Sequence, residues 1–130
     1  MHDGLLLCDD LIFTSRIVGE ASAQGLTLRV VKKARELLQL FVQMQPRCVI
    51  VDLQTESLDF EELVRAAQSN QTKATVVGYG SHVDVATLKR ARDAGIDVVW
   101  PRSKFVEELA AALPQWFDSA PRSEANPDGR

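Results

Sequence analysis

Three aspartates stand directly after apolar runs that are typical of buried strands. Asp9 and Asp10 follow the run Leu5–Cys8, and Asp52 follows the run Cys48–Val51. If these runs are neighbouring parallel strands, their carboxyl ends meet at one edge of the sheet, where we expect the three carboxylates to converge. Carboxylates that lie close together need a compensating cation, and Mg²⁺ prefers such oxygen ligands. The pattern therefore predicts a weak Mg²⁺ site at Asp9, Asp10 and Asp52.

A single aspartate at a strand end is more often a turn former or a helix cap than a functional residue. Three of them at one edge of a sheet favour function over that simpler explanation. The three carboxylates can converge only if their strands are parallel and adjacent in one sheet.

Five strand–helix repeats are predicted to position these residues. The apolar runs lie at 5–8, 26–31, 48–51, 74–78 and 96–100, and each is followed by a segment with helical periodicity. No hairpin signal joins any two of the runs, which favours parallel strands with right-handed crossovers. The predicted fold class is α/β, a flavodoxin-like doubly wound sheet of five parallel strands with helices on both faces. Among the common strand orders, 2-1-3-4-5 uses five strands and no more.

Capping residues and helix breakers predict where the helices begin and end. Asp59 stands three residues before a glutamate, and Ser81 stands three residues before Asp84, so both have the spacing of a capping box. Ser103 can cap the last helix, which we expect to be interrupted at Pro114.

The bulk composition is that of one ordinary globular domain. The chain has 130 residues, of which 45% are hydrophobic and 25% charged, with a net charge of −3. This charge disfavours binding to nucleic acid or to a membrane surface, and the N-terminal apolar stretch is too short for a membrane span or a secretory signal. Cys8 and Cys48 lie in apolar runs without metal-site or disulfide spacing, which favours free thiols in the cytoplasm.

The predicted domain covers residues 1–118. Trp116 and Phe117 close it, and we expect both rings to pack back onto the core rather than to bind a partner. Residues 119–130 are short, polar and contain two prolines, so this C-terminal tail is predicted to be disordered.

Two segments of the chain resemble response-regulator receiver domains. These are Leu7-Cys-Asp-Asp10 with Arg16, and the stretch from Pro46 through Asp52 to Leu53. The resemblance extends over residues 5 to 113 and includes the order of all five repeats. It implies that Asp9 and Asp10 hold Mg²⁺ and that Asp52 accepts a phosphoryl group from a histidine kinase.

The resemblance also implies a role in a cytoplasmic two-component phosphorelay. Such a domain is a signalling protein rather than an enzyme, and its partners are a histidine kinase or another signalling protein. A homodimer through the fourth and fifth helices is expected as well, since Lys89, Arg90 and Arg92 lie near Glu107 and Glu108 in the predicted order of elements.

The chain departs from the receiver pattern at the ends of its fourth and fifth strands. Receivers carry a threonine or serine where this chain has Tyr79, and a Lys-Pro pair where an ungapped alignment places Arg102 and Ser103. In an alternative alignment, Trp100-Pro101 takes the Lys-Pro position and the pocket has no cation; we prefer the ungapped one. The aromatic residue that receivers carry on strand five is replaced by Val99.

Two functions remain open at this point. The first is a phosphoacceptor receiver that uses Asp52, with Arg102 and Tyr79 in its pocket. The second is a pseudo-receiver, an interaction module that keeps the fold without phosphoryl transfer. A phosphatase-like enzyme is disfavoured, because Asp52-Leu-Gln-Thr55 lacks the second aspartate, two residues on, that such enzymes use as general acid.

Overall fold

The computed structural model describes residues 3–70 and 73–118 and confirms the predicted architecture. The strands are β1 (Gly4–Leu7), β2 (Leu28–Val31), β3 (Cys48–Asp52), β4 (Thr75–Gly80) and β5 (Val98–Pro101). The helices are α1 (Leu11–Ala23), α2 (Ala34–Met44), α3 (Phe60–Gln68), α4 (Val85–Ala94) and α5 (Arg102–Trp116). All neighbouring strands pair in parallel, in the order β2-β1-β3-β4-β5.

The sheet separates two layers of apolar core. One layer lies under α2, α3 and α4 and includes Phe41, Leu63 and Val99; the other lies under α1 and α5. Successive strand residues point to opposite faces, so Trp100 packs in the second layer while Val99 lies in the first. Both layers pack against the same sheet, and the carboxyl ends of its parallel strands lie along one edge.

Three aspartates cap helix N-termini. Asp10, Asp59 and Asp84 accept hydrogen bonds at 3.0 or 3.1 Å from the backbone N–H three residues on, at the start of α1, α3 and α4. The predicted cap at Asp59 is confirmed. The cap of α4 is Asp84 and not Ser81, whose hydroxyl instead accepts a bond from the backbone N–H of Val83 in the preceding loop.

The predicted cap at Ser103 is wrong, because α5 follows β5 with no loop between them. Pro101 ends the strand and is also the residue before the helix, with φ −64° and no side-chain hydrogen bond. Its ring fixes φ in the range that a helix entry needs, so the helix starts at Arg102 and Ser103 lies inside its first turn.

The predicted interruption of α5 at Pro114 is also wrong, since the helix continues to Trp116. Pro114 has no N–H to donate to the carbonyl of Ala110, and that carbonyl accepts a hydrogen bond from the Gln24 side chain at 2.9 Å instead. Trp116 and Phe117 are both 4% exposed, so their predicted packing onto the core is confirmed. The tail predicted to be disordered, 119–130, lies outside the described residues.

Several large apolar residues of the helices are exposed. Leu11 and Ile12 in the first turn of α1, Val42 in α2 and Val85 in α4 each have most of their surface open. Packing on each of these helices is carried by other residues, such as Ile17 and Ala21 on α1. Within residues 3–70 and 73–118, no helix is long and apolar enough to cross a membrane.

Candidate functional site

Asp52 lies at the carboxyl end of the central strand β3, opposite Tyr79 of β4 in the sheet register. Its side chain is 15% exposed. One carboxylate oxygen, Oδ1, accepts a hydrogen bond from the Gln54 backbone N–H at 2.9 Å, and the Asp52 carbonyl accepts from the Thr55 N–H and hydroxyl at 3.0 and 2.7 Å. A tight turn after β3 therefore fixes the carboxylate at the rim of the sheet.

Arg102 supplies a cation to the same rim. Its guanidinium Nη2 lies 3.8 Å from Asp52 Oδ2, and its side chain is 43% exposed. The guanidinium carbon also lies 5.7 Å from the ring centre of Phe13 and 5.9 Å from that of Tyr79. The cation thus stands beside Asp52 as the ungapped alignment predicts, and not as the alignment through Trp100-Pro101 would have it.

Asp9 and Asp10 are exposed at the end of β1, the strand next to β3. The Asp10 carboxylate is directed to the N-terminus of α1, where Oδ1 accepts from the Phe13 N–H at 3.0 Å. Among residues 3–70 and 73–118, no three acidic, histidine or cysteine side chains come close enough together to hold a metal ion. The expected convergence of the three carboxylates is therefore not seen, because Asp10 caps a helix and Asp52 faces Gln54 and Arg102.

The donor chemistry at this edge nevertheless fits Mg²⁺. Two exposed carboxylates, Asp9 and Asp10, follow the strand adjacent to Asp52, and all their donor atoms are the hard oxygens that Mg²⁺ takes. Mg²⁺ is commonly bound through one or two carboxylates and retains several of its own waters, so it does not need a complete cage of protein ligands. The metal site at Asp9, Asp10 and Asp52 stays a prediction.

Tyr79 lies entirely in the core layer under α1 and α5. Its ring packs 4.8 Å from the rings of both Phe13 and Phe105, measured between ring centres. The hydroxyl is buried without a hydrogen-bond partner among the described residues, and burial, with the nearby Cys8 thiol, raises the pKa of Tyr79 far above its ordinary value. Tyr79 therefore presents a ring to Arg102 and no hydroxyl to the pocket.

Gln54 joins the two loops beside the pocket, a role that the sequence analysis missed. Its amide oxygen accepts from the Ser81 N–H at 3.1 Å, and its amide nitrogen donates to Asp84 Oδ2 at 3.0 Å. The pKa of Asp84 is lowered mainly by its hydrogen bonds to Thr87, with Gln54 adding to the effect. Glycine at position 80 leaves room for this contact, because a Cβ there would come within 2.9 Å of the Gln54 side-chain oxygen.

Phe13 was missed as well. It lies in the first turn of α1, and the helical periodicity read from the sequence did not include it. Its contact with Arg102 depends on how α1 and α5 pack over Tyr79, which no local pattern reveals.

No family model and no curated protein sequence matches this chain, whereas solved structures do. NtrX from Brucella abortus matches with a TM-score of 0.76 at 18% identity, over 98% of this chain and 29% of that one. The signal receiver domain of a putative LuxO repressor protein from Vibrio parahaemolyticus matches with a TM-score of 0.74 at 14% identity, over 100% of both chains.

The beryllofluoride-activated NtrC4 receiver domain, solved as a dimer, matches with a TM-score of 0.68 at 16% identity, over 87% of this chain and 97% of that one. Identities this low establish the fold alone. The chain has the fold of response-regulator receiver domains, as its sequence resemblance implied. The same fold supports many functions, so the function of this pocket depends on its own residues.

Proposed function

We propose that the chain is a receiver-type signal-transduction module in which Asp52 accepts a phosphoryl group from a histidine kinase or another phosphodonor. The observation that supports this most is the pairing of Asp52 with Arg102 at 3.8 Å, at the carboxyl edge of a sheet whose fold is that of receiver domains. This edge, between β1 and β3, is where open α/β sheets bind ligands. We assign the role to the cytoplasm, where such a relay operates.

The transfer forms one bond and breaks one. An oxygen of the Asp52 carboxylate attacks the phosphorus atom, the P–N bond of a donor phosphohistidine breaks, and the imidazole leaves with a proton from water. Arg102 offsets the charge on the phosphoryl oxygens as they approach the carboxylate. Asp9 and Asp10 would hold a weakly bound Mg²⁺, which would add positive charge for the same purpose. Asp52 is consumed as a stoichiometric acceptor, so the module is not an enzyme.

Acetyl phosphate provides a direct test of this acceptor role. With Mg²⁺ present, the intact mass of the chain should rise by one phosphoryl group, carried on the peptide with Asp52. Asp52→Asn should abolish the label, while the matched control Asp59→Asn should keep it, because Asp59 caps α3 and asparagine caps equally well. An unlabelled wild-type chain, or a label that survives Asp52→Asn, contradicts the proposal.

The metal site is tested separately by titration with Mn²⁺. Asp10→Asn removes a charged ligand but keeps a good cap for α1, so the fold is preserved while the affinity falls. Asp59→Asn again serves as the control and should leave the affinity unchanged. If Asp10→Asn binds Mn²⁺ as the wild type does, the assigned site is wrong.

A second candidate function is a pseudo-receiver that binds partners without a phosphorylation response. Two observations favour it: the Tyr79 hydroxyl is buried away from the pocket, and Val99 stands where receivers carry a movable aromatic residue. In that case a phosphoryl mimic bound at Asp52 changes only its immediate surroundings.

Output to a partner is proposed to pass through α4 and α5, in a homodimer or with another signalling protein. Arg90 and Glu108 are exposed on these two helices. Reversing the charge at either residue alone should weaken self-association measured by sedimentation, and reversing both should restore it. A strict monomer at all concentrations contradicts the homodimer.

A further inference from the structure

The Arg102 side chain lies beside two aromatic rings as well as the Asp52 carboxylate. Its guanidinium carbon lies within 6 Å of two aromatic ring centres, at 5.7 Å from Phe13 and 5.9 Å from Tyr79. Both distances are in the range of cation–π attraction. These rings come from α1 and β4, so three separate elements meet at one guanidinium.

The ion pair with Asp52 does not by itself hold Arg102 in place. At 3.8 Å, Nη2 and Oδ2 are well beyond the length of a charge-assisted hydrogen bond, and the Arg102 side chain is 43% exposed. A partly exposed pair of this kind gains little over separate hydration of the two charges. Another interaction must therefore hold the guanidinium in its position.

The two aromatic rings can provide this interaction, because their own positions are held by packing. Their centres are 4.8 Å apart, Tyr79 is completely buried, and the Phe105 ring lies 4.8 Å from Tyr79 and 6.0 Å from Phe13. A planar guanidinium stacks on aromatic faces while its N–H groups stay free, which a lysine ammonium does not do. The chain thus carries arginine at a pocket position that two rings adjoin.

We propose that Phe13 and Tyr79 are positioning residues, an aromatic seat that fixes the Arg102 guanidinium over Asp52. In this arrangement Arg102 is the group that meets an incoming anion, and Tyr79 acts through Arg102 without using its hydroxyl. The anion's identity as a phosphoryl group rests on the proposed function, whereas the seat is a property of the free protein.

The seat is tested by NMR on the full chain through the Arg102 side-chain Nε–Hε signal, assigned with Arg102→Lys. In the wild type, ring currents should shift this signal upfield, with NOEs to ring protons of Phe13 and Tyr79. Phe13→Leu should return it towards the random-coil position, while Tyr79→Phe, which keeps the ring, should leave it shifted. Phe41→Leu removes a ring from the opposite core layer and should change nothing at Arg102.

A random-coil Arg102 signal without ring NOEs in the wild type overturns the proposal, and so does a signal unaffected by Phe13→Leu. The wild-type spectrum alone tests the aromatic seat, even if Phe13→Leu does not fold. Labelling of Asp52 by acetyl phosphate gives the second measurement: Phe13→Leu should slow it about tenfold, through misplacement of the cation, and the control Phe41→Leu should not. If the wild type is never labelled, the proposed function fails while the NMR result still decides the seat.

Discussion

Arg102 and Asp52 face each other across the end of the sheet, with Nη2 and Oδ2 3.8 Å apart. The pair forms because β3 ends at Asp52 and α5 begins at Arg102 without a loop after β5. Two distant parts of the chain thus place opposite charges at one rim, and the proposed phosphoryl transfer depends on this relationship.

Replacement of Arg102 by glutamine should slow the phosphorylation of Asp52 and leave the stability of the fold nearly unchanged. The pair is partly exposed, so the free energy of unfolding should change by less than about 1 kcal/mol in a urea titration. The rate of Asp52 labelling by acetyl phosphate should fall about a hundredfold, as for the loss of one charge-stabilising donor. An unchanged labelling rate would show that Arg102 takes no part in the transfer.

Replacement of Tyr79 by phenylalanine should stabilise the fold. The hydroxyl is buried without a partner, and such a group costs about 1–3 kcal/mol, so its removal should raise the free energy of unfolding by about 1 kcal/mol or more. Urea unfolding of the two proteins measures the difference. A less stable Tyr79→Phe variant would mean that the hydroxyl makes a stabilising contact.

The same pair of proteins should diverge further at alkaline pH. The pKa of Tyr79 is raised in the folded state, chiefly by burial, above the ordinary value of 10.0 that applies when the chain is unfolded. The folded state therefore keeps a proton that the unfolded state releases, and the stability of the wild type is lost as pH rises above 10. The stability gap to Tyr79→Phe should widen by on the order of 1 kcal/mol per pH unit there. A gap that is constant between pH 8 and pH 11, as followed by urea titration, contradicts the burial of a neutral hydroxyl.

Two glycines should respond oppositely to alanine. At Gly4 a Cβ would come within 2.6 Å of the Cys48 carbonyl oxygen and 2.8 Å of the Phe117 ring, and the β1–β3 pairing prevents the backbone from moving away. Gly4→Ala should therefore cost about 1–3 kcal/mol. Gly19 lies in α1 with nothing within 4 Å of such a Cβ, so Gly19→Ala should gain about 0.5–1 kcal/mol. Thermal unfolding measures both, and equal effects would show that the packing at Gly4 is loose.

The sheet and its order could be predicted because their signals are local. Apolar runs, strand-end aspartates and intervening helical periods specify five parallel strands, and they also place Asp52 at the rim. Arg102 was found through the resemblance to receivers, because the ungapped alignment places it at their lysine position. These features do not depend on how any side chain turns.

The details of the pocket could not be predicted because they depend on packing between distant segments. The Asp10 carboxylate caps α1 instead of joining Asp52, and Gln54 bonds to Ser81 and Asp84 across two loops. The start of α5 was missed at Ser103, since a proline can begin a helix where a capping side chain is expected. Rotamers and loop contacts of this kind leave no periodic trace in a sequence.

Addition of beryllofluoride and Mg²⁺ to the ¹⁵N-labelled chain tests the phosphoacceptor role most directly, because this complex imitates a phosphoryl group on an aspartate. The account predicts saturable shifts of the backbone N–H signals of Gln54 and Ser81 and of the Arg102 side chain. If the chain is a pseudo-receiver, the shifts should stay local and should not spread to Trp100 or to α5 beyond Arg102, since Tyr79 and Val99 replace the residues that move in receivers. Shifts that spread to Trp100 and the later turns of α5 would favour a receiver that responds to phosphorylation. Asp52→Asn should show none of them. A wild-type spectrum that beryllofluoride and Mg²⁺ leave unchanged would contradict the assignment of Asp52 as the acceptor.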